Sequence, residues 1–255
     1  MQSLKLEIME FKKILYNLCG QRFYSFLKKL YIFFSDPKRL NIAKNFDYQD
    51  YKSKELHILN CFRILQSQEL KDLPKTYFEF GCHSGRTFSS AINSAKFLKI
   101  SNFKFYAFDS FCGLPTTTEE DGSFFKTGDF FTSKNDFIKI VKRNTGIDSN
   151  NFNIFEGFYD KSLTDELSQA LPKIGIVYID CDLYSSTKSV LKFIKNHIIN
   201  GSIIMLDDYY CSSKTGDIKG QRHAFDEFVK DENIYKFEHY KNFSDFGSIF
   251  FVTKK

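Results

Sequence analysis

Four carboxylates lie where they could act together. Two of them lie within three residues after the apolar run 174–179, and the other two directly follow the mostly apolar run 202–206. Short, continuously apolar runs predict buried parallel strands, whose carboxyl ends meet at one edge of a sheet. We therefore expect the four side chains to converge. They are Asp180, Asp182, Asp207 and Asp208.

Converging carboxylates repel one another and would raise each other's pKa. No Lys or Arg adjoins these acids in sequence, and a divalent cation would resolve the repulsion. Oxygen ligands without His or Cys favour a hard ion, Mg²⁺ or Mn²⁺. Cys181 is predicted to pack rather than to bind the metal. The alternative interpretation is a set of helix caps and loop acids that hold no ion.

A glycine-containing turn precedes these acids in the chain. Gly81 and Gly85 separate a predicted strand, 76–80, from a predicted helix, 87–98. Glycines allow a tight turn and the close approach of a ligand to the backbone. His83 stands where the dinucleotide fingerprint has its second glycine, and the phosphate-loop pattern is not met either. The turn therefore suits a ligand without a pyrophosphate, or forms no ligand site at all.

A further acid, Asp109, follows the predicted second strand, 103–108. A carboxylate at this position can accept hydrogen bonds from both ribose hydroxyls of a nucleoside. The glycine turn and Asp109 together predict a nucleoside site. An exposed acid at a strand end is the simpler alternative.

The elements that position these residues alternate between apolar strands and helices from about residue 76 onward. This pattern predicts a parallel sheet with helices on both faces. Upstream, 4–35 and 54–70 have helical periodicity, and 38–53 is polar and irregular. The 255 residues are 42% apolar and 26% charged, which excludes global disorder and allows a full core without disulfides.

Cysteine usage and charge narrow the class of protein. None of the six Cys lies in a C-x-x-C pair, and scattered reduced thiols are typical of a cytoplasmic protein. The net charge of +5 equals that of residues 1–40, so the rest of the chain is balanced and no nucleic-acid partner is expected. No apolar run reaches the ~18 residues that span a bilayer, and no clean signal peptide is present. We therefore expect a cytoplasmic protein.

Five segments resemble those of the macrocin O-methyltransferase family, in the same order and over about residues 76–230. They are 79–87, 108–115, 178–187, 206–209 and 220–228. The patterns Asp-Ser-Phe-x-Gly-Leu-Pro and Asp-x-Asp-x-Tyr-x-Ser-Thr are specific, whereas the glycine turn is not. Members of this family are S-adenosylmethionine-dependent and Mg²⁺-dependent enzymes, including those that methylate sugar hydroxyls of macrolides and other natural products.

The resemblance implies a class I methyltransferase fold. This is an α/β, Rossmann-like, doubly wound and mostly parallel seven-stranded sheet, here with an N-terminal helical extension. We expect residues 1–73 to form the extension, as a lid or dimerisation element, and residues 74–255 to form the methyltransferase domain.

The resemblance also implies roles for the site residues. The metal would be bound by Asp180, Asp207 and Asp208. The cofactor, S-adenosylmethionine, would be bound by Glu79, Gly81, Ser84, Gly85, Asp109 and Ser110.

Methyl transfer to a hydroxyl needs a base that takes its proton. Asp182 is the nearest candidate in sequence, and His223 is a second because its pKa range suits the task. Each has a structural alternative, Asp182 as an acid that orients a ligand and His223 as a helix-start residue. We predict O-methylation of a hydroxyl of a sugar, glycan or glycosylated natural product. The alternatives are methylation of an aromatic diol, and a catalytically inactive binding protein with this fold.

The segment 4–35 combines basic residues with a Phe-rich apolar side. We expect it to cover the active site or to build a homodimer, because water near the reacting groups would compete with the acceptor. The alternative is an interfacial helix that touches a membrane surface.

Overall fold

Seven strands form one mixed sheet in the computed structural model, which describes residues 53–67, 70, 72–121, 125–211 and 220–255. The strands are β1 (Thr76–Phe80), β2 (Lys104–Asp109), β3 (Asn153–Glu156), β4 (Ile176–Ile179), β5 (Ile203–Leu206), β6 (Tyr235–Phe243) and β7 (Gly247–Lys254). The helices are α1 (Lys54–Leu65), α2 (Arg86–Phe97), α3 (Lys134–Thr145), α4 (Tyr159–Ser162), α5 (Asp165–Ala170), α6 (Tyr184–Ile194) and α7 (Gly220–Asp231).

The strand order is β3-β2-β1-β4-β5-β7-β6. The first five strands of this order pair in parallel, and β7 runs antiparallel to both β5 and β6. The chain winds outward from β1 in one direction through β2 and β3, and in the other through β4 and β5. The crevice between β1 and β4 is therefore the switch point at which ligands bind in doubly wound sheets. This topology confirms the predicted fold class.

Alternation along the strands divides the core into two apolar layers. Tyr77 of β1 and Tyr178 of β4 belong to the layer that contains α1 and α2, whereas Phe78 and Val177 belong to the layer that contains α6 and α7. Side chains in a strand point alternately to opposite faces, so each buried strand supplies both layers. This arrangement fixes the face to which any residue at a strand end is directed.

Helix α1 is part of this core. Ser53 caps its N-terminus by accepting a hydrogen bond from the backbone of Leu56 at 3.2 Å, and Ile58 and Phe62 are fully buried in the first apolar layer. The helix lies within one compact unit with the sheet, Tyr48–Lys255, although the sequence placed 54–70 in the N-terminal extension.

The role predicted for the rest of the extension stays a prediction, because residues 1–52, and with them the segment 4–35, lie outside the described part of the chain. Helix α1 ends at Leu65, five residues earlier than its periodicity predicted. Where the structure is described, no helix combines the length and the apolar character that crossing a membrane requires.

Candidate active site

A cavity of about 1190 Å³ opens at the carboxyl edge of the sheet. Each of the five parallel strands supplies a residue to its wall at or just after its last position. These residues are Gly81, Asp109, Gly157, Asp180 and Asp207. Pockets for a single small ligand usually measure about 300–1,000 Å³, so this cavity is somewhat larger than one such ligand requires.

Three carboxylates form an acid cluster in this wall. Oxygen atoms of Asp180, Asp207 and Asp208 all lie within 4.8 Å of one another. Asp180 follows Tyr178 by two positions, and Asp207 follows Met205 by two, so strand alternation directs both acids toward the α1 side of the sheet. The structure thus brings together the three predicted metal ligands.

Both oxygens of Asp207 already have partners. The buried hydroxyl of Tyr178 donates to Oδ1 at 2.5 Å. The ammonium group of Lys54 forms an ion pair with Oδ2. No sequence pattern predicts this second contact, because Lys54 precedes the acid by 153 residues and reaches it only through the packing of α1.

Burial raises the pKa of Asp180 and that of Asp208 well above the usual range, and repulsion from the neighbouring carboxylates adds to the effect. Burial opposes the charge of Lys54, yet Asp180 and Asp207 raise its pKa above the ordinary value. Three carboxyl groups thus face one ammonium group among the described residues.

Asp208 is held by α7. Its backbone N–H donates to Oε1 of the buried Gln221 at 2.9 Å, and the amide of Gln221 donates to the carbonyl of Ile179 at 3.1 Å. The Gln221 side chain thereby links the end of β4 to the residue pair that follows β5. Oδ2 of Asp208 is buried and has no hydrogen-bond partner within the described residues.

Asp182, the predicted base, lines the same cavity and is half-buried. Its backbone has φ 60, a left-handed conformation that Asp tolerates better than most residues. Burial raises its pKa well above the usual range, and Asp180 raises it further. A carboxylate with a raised pKa is suited to accept a proton near neutral pH.

The glycine turn touches the acid cluster directly. Gly81 has φ +86, and a Cβ atom on it would lie 1.8 Å from the carbonyl oxygen of Asp180. Only glycine fits between β1 and β4 at this point. Gly85 is outside the cavity as the described residues define it, and a Cβ there would press on Phe137 and Val141 at about 3 Å. Its predicted role in cofactor binding stays a prediction, and these contacts show a role in packing α2 against α3.

Asp109 shapes the turn from the opposite side. Its Oδ2 accepts hydrogen bonds from the backbone N–H groups of Cys82 at 2.7 Å and His83 at 2.9 Å, and its Oδ1 accepts one from Phe111 at 2.7 Å. A carboxylate offers about four lone-pair positions, so about one remains for a ligand. Acceptance from both ribose hydroxyls, as the sequence suggested, would require one of these three bonds to open.

Glu79 lies beneath the turn and is fully buried. It accepts hydrogen bonds from the hydroxyls of Tyr77 and Thr87, the latter at 2.8 Å, and it is absent from the described cavity wall. Burial raises the pKa of Glu79 to about 8, although both hydroxyls act in the opposite direction. Its predicted role in cofactor binding stays a prediction; the contacts show a role in positioning α2.

Ser84 and Ser110, predicted to bind the cofactor, both line the cavity. The hydroxyl of Ser110 donates to the carbonyl of Gly113 at 2.7 Å and so shapes the loop after β2.

Further along this loop, the buried carboxylate of Asp121 accepts hydrogen bonds from the backbone N–H of Ser185 at 2.9 Å and from its hydroxyl at 3.0 Å. Asp121 thus ties the loop to the start of α6, a contact that sequence reasoning missed.

His223 lies apart from these residues. It stacks on Tyr184 with ring centroids 5.1 Å apart, and its Nε2 lies 3.5 Å from Glu227. It does not line the cavity formed by the described residues. Its role as a base stays a prediction, and its contacts favour a role in holding α7 against α6.

The sheet order, the antiparallel β7 and the cavity at the switch point define a class I methyltransferase. The model of the Macrocin-O-methyltransferase (TylF) family matches residues 63–239, and the chain belongs to this family. It is therefore an S-adenosylmethionine-dependent O-methyltransferase of the sugar and natural-product type. No curated protein sequence matches the chain.

Several solved structures share the fold. The calicheamicin methyltransferase CalS11 is 17% identical, with a TM-score of 0.64 over 96% of this chain and 91% of that chain. The O-methyltransferase NovP is 16% identical, with a TM-score of 0.61 over 79% and 80%. An O-methyltransferase from Bacillus cereus, in complex with SAH, is 10% identical, with a TM-score of 0.51 over 96% and 97%.

Proposed function

We propose that the protein methylates a sugar hydroxyl, on a glycan, a nucleotide-linked sugar or a glycosylated natural product, and that the reaction requires Mg²⁺ or Mn²⁺. One observation carries the proposal. The acid cluster stands in the wall of the same cavity as the glycine turn and Asp109, so a cation and a methyl donor would meet in one space.

The residues of the acid cluster suit a hard divalent ion. All of the donors are carboxylate oxygens, which such ions prefer. Oδ2 of Asp208 is buried without a partner in the described chain, and an unpaired buried acceptor is costly unless something binds it. We assign the ion to Asp180, Asp207 and Asp208. When bound there, it would supply positive charge that favours the loss of a proton from a nearby hydroxyl.

The protein's own residues would do the rest of the work. Gly81 lets the turn pack directly against the carbonyl of Asp180, and its backbone lines the cavity that the donor would enter. Asp109 fixes the turn and offers a remaining lone pair to a ribose hydroxyl. Asp182 would accept the acceptor's proton, because it lines the cavity and burial raises its pKa. Alignment of acceptor and donor in the enclosed cavity then lowers the barrier.

A sugar acceptor is favoured over an aromatic diol by the likeness to sugar-modifying enzymes. CalS11 is described as a TDP-rhamnose 3'-O-methyltransferase, and its apo structure has a TM-score of 0.58 to this chain at 17% identity. The family to which this chain belongs is named for a macrocin O-methyltransferase.

The test is methyl transfer from labelled S-adenosylmethionine by chelator-treated protein. The acceptors are TDP-rhamnose, a set of simple glycosides, and catechol, each with and without Mg²⁺ or Mn²⁺. We expect transfer to a sugar only when the ion is present. Asp207→Asn should abolish turnover and leave cofactor binding nearly intact. Asp160→Asn, which alters an acid of the same cavity wall away from the cluster, is the matched control.

Full activity in excess chelator would contradict the metal dependence. Transfer to catechol alone would instead show that the acceptor is an aromatic diol.

A further inference from the structure

We propose that Lys54 is the resident counter-ion of the acid cluster, and that a divalent ion binds by displacing its ammonium group from Asp207. The inference rests on the proposed function, because it takes the acid cluster to be the metal site. It assigns Lys54 as a positioning residue that sets the affinity of this site for the ion.

The partners of Asp207 carry the inference. Its Oδ1 accepts from Tyr178 at 2.5 Å, and its Oδ2 pairs with Lys54. Each oxygen keeps a second lone pair, but an ion that approached Oδ2 would stand beside the ammonium group of Lys54. Asp207 is therefore a ligand whose free side is already faced by a positive charge.

The two partners differ in how readily they can leave. Tyr178 is fully buried in the sheet, so its hydroxyl has nowhere to move. The Lys54 side chain is 28% exposed, and its ammonium group ends a flexible chain of four carbons. Lys54 is thus the partner that an arriving ion would displace.

Charge favours the exchange. One ammonium group faces three carboxylates within a region where oxygens lie up to 4.8 Å apart, and the buried Oδ2 of Asp208 has no partner among the described residues. A divalent ion would bring twice the charge and would also reach the oxygen that Lys54 leaves unsatisfied. Like charges repel at this range, so the ion and the ammonium group exclude each other.

Helix α1 keeps Lys54 ready to return. Lys54 is the first residue of the helix, whose apolar side is buried against the sheet through Ile58 and Phe62. Glu55 beside it pairs with Arg86 of α2 at 2.5 Å. The backbone of α1 is therefore held by this packing and by the ion pair to α2, and only the lysine side chain has to move when an ion enters.

The experiment measures the binding of Mn²⁺ to chelator-stripped full-length protein by the electron paramagnetic resonance of free Mn²⁺. Lys54→Met should bind Mn²⁺ about tenfold more tightly, or better, because the competing charge is gone. Lys54→Gln provides a second variant if Lys54→Met does not fold. Lys161→Met is the matched control, because Lys161 lines the same cavity outside the cluster, and its affinity should stay within about twofold of the wild type.

Thermal unfolding gives a second readout. Without metal, Lys54→Met should unfold at a lower temperature than the wild type, because its acid cluster has lost a counter-charge. Mn²⁺ should raise the unfolding temperature of Lys54→Met by more than that of the wild type.

Equal or weaker Mn²⁺ binding by both Lys54 variants would overturn the inference while leaving a metal site in place. Binding by the variants but not by the wild type would support the inference and contradict metal-dependent catalysis. No binding by any of them would overturn both.

Discussion

The ammonium group of Lys54 contacts the carboxylate of Asp207 across 153 residues of sequence. One residue begins α1, and the other follows the last residue of β5. The contact shows that the first helix of the described chain contributes to the candidate active site as well as to the core. Removal of this helix would thus expose an acid cluster that has no other lysine or arginine partner among the described residues.

Asp109→Asn should weaken the binding of S-adenosylmethionine. The amide keeps the shape of the side chain but loses the charge and one acceptor. Hydrogen bonds to charged groups contribute about 1.5–3 kcal/mol. We expect the binding free energy, obtained from the dissociation constant by calorimetry, to weaken by that amount. Asp160→Asn in the same wall is the control. An unchanged dissociation constant would mean that Asp109 serves the turn alone.

Gly81→Ala should disrupt both the turn and the acid cluster. The left-handed backbone costs a residue with Cβ about 1–2 kcal/mol, and the clash with the carbonyl of Asp180 adds to this. Gly146→Ala is the matched control, since Gly146 has φ +71 but no atom within 4 Å of a built Cβ. Denaturant unfolding of both variants separates the cost of the clash from that of the backbone. Equal costs would refute the close contact.

Glu79→Gln should gain stability relative to the wild type as the pH rises. The pKa of Glu79 is raised from 4.5 to about 8 by burial, so the folded protein keeps its proton over this interval while the unfolded chain loses it. The wild type therefore loses stability between about pH 4.5 and 8, and glutamine does not titrate. Urea unfolding of both proteins across this range would measure the difference. A difference that does not change with pH would show that Glu79 is ionised in the fold.

Asp121→Ala should loosen the loop that covers the cavity. Its buried carboxylate accepts hydrogen bonds from Thr118 and Ser185, and each bond to a charged group contributes about 1.5–3 kcal/mol. We expect a lower unfolding temperature and faster proteolysis of the loop. Asp129→Ala, which removes a single bond to Lys126 in the same loop, should have a smaller effect. Equal proteolysis of the two variants would contradict a clamp between this loop and α6.

The acid cluster was predictable because it depends on local patterns alone. Apolar runs mark β4 and β5, and Asp180 and Asp207 follow their last residues. Lys54 and Asp121 were not predictable, because their contacts depend on how α1 and a loop pack against distant strands and helices. His223 illustrates the opposite case, since its residue type suited catalysis but its place on α7 directs it to Tyr184.

The fold itself was largely readable from hydrophobic alternation. The runs 76–80, 103–108, 174–179 and 202–206 locate β1, β2, β4 and β5 to within about two residues, which is the usual uncertainty of element ends. Hydrophobic alternation does not delimit β6, because this strand lies at the edge of the sheet, pairs with β7 and buries only one of its nine residues.

The last residues of β1, β4 and β5 are aligned across the sheet, and this alignment limits where the sequence of the enzyme can gain or lose residues. Phe80, Ile179 and Leu206 are paired neighbours at the ends of β1, β4 and β5, so Gly81, Asp180 and Asp207 stand in one row. Inserting or deleting one residue inside any of these strands would turn the next residue to the opposite face of the sheet. Length variation that preserves methyl transfer must therefore fall in the loops, and directed evolution toward new acceptors should randomise the loop after β2 rather than the strands.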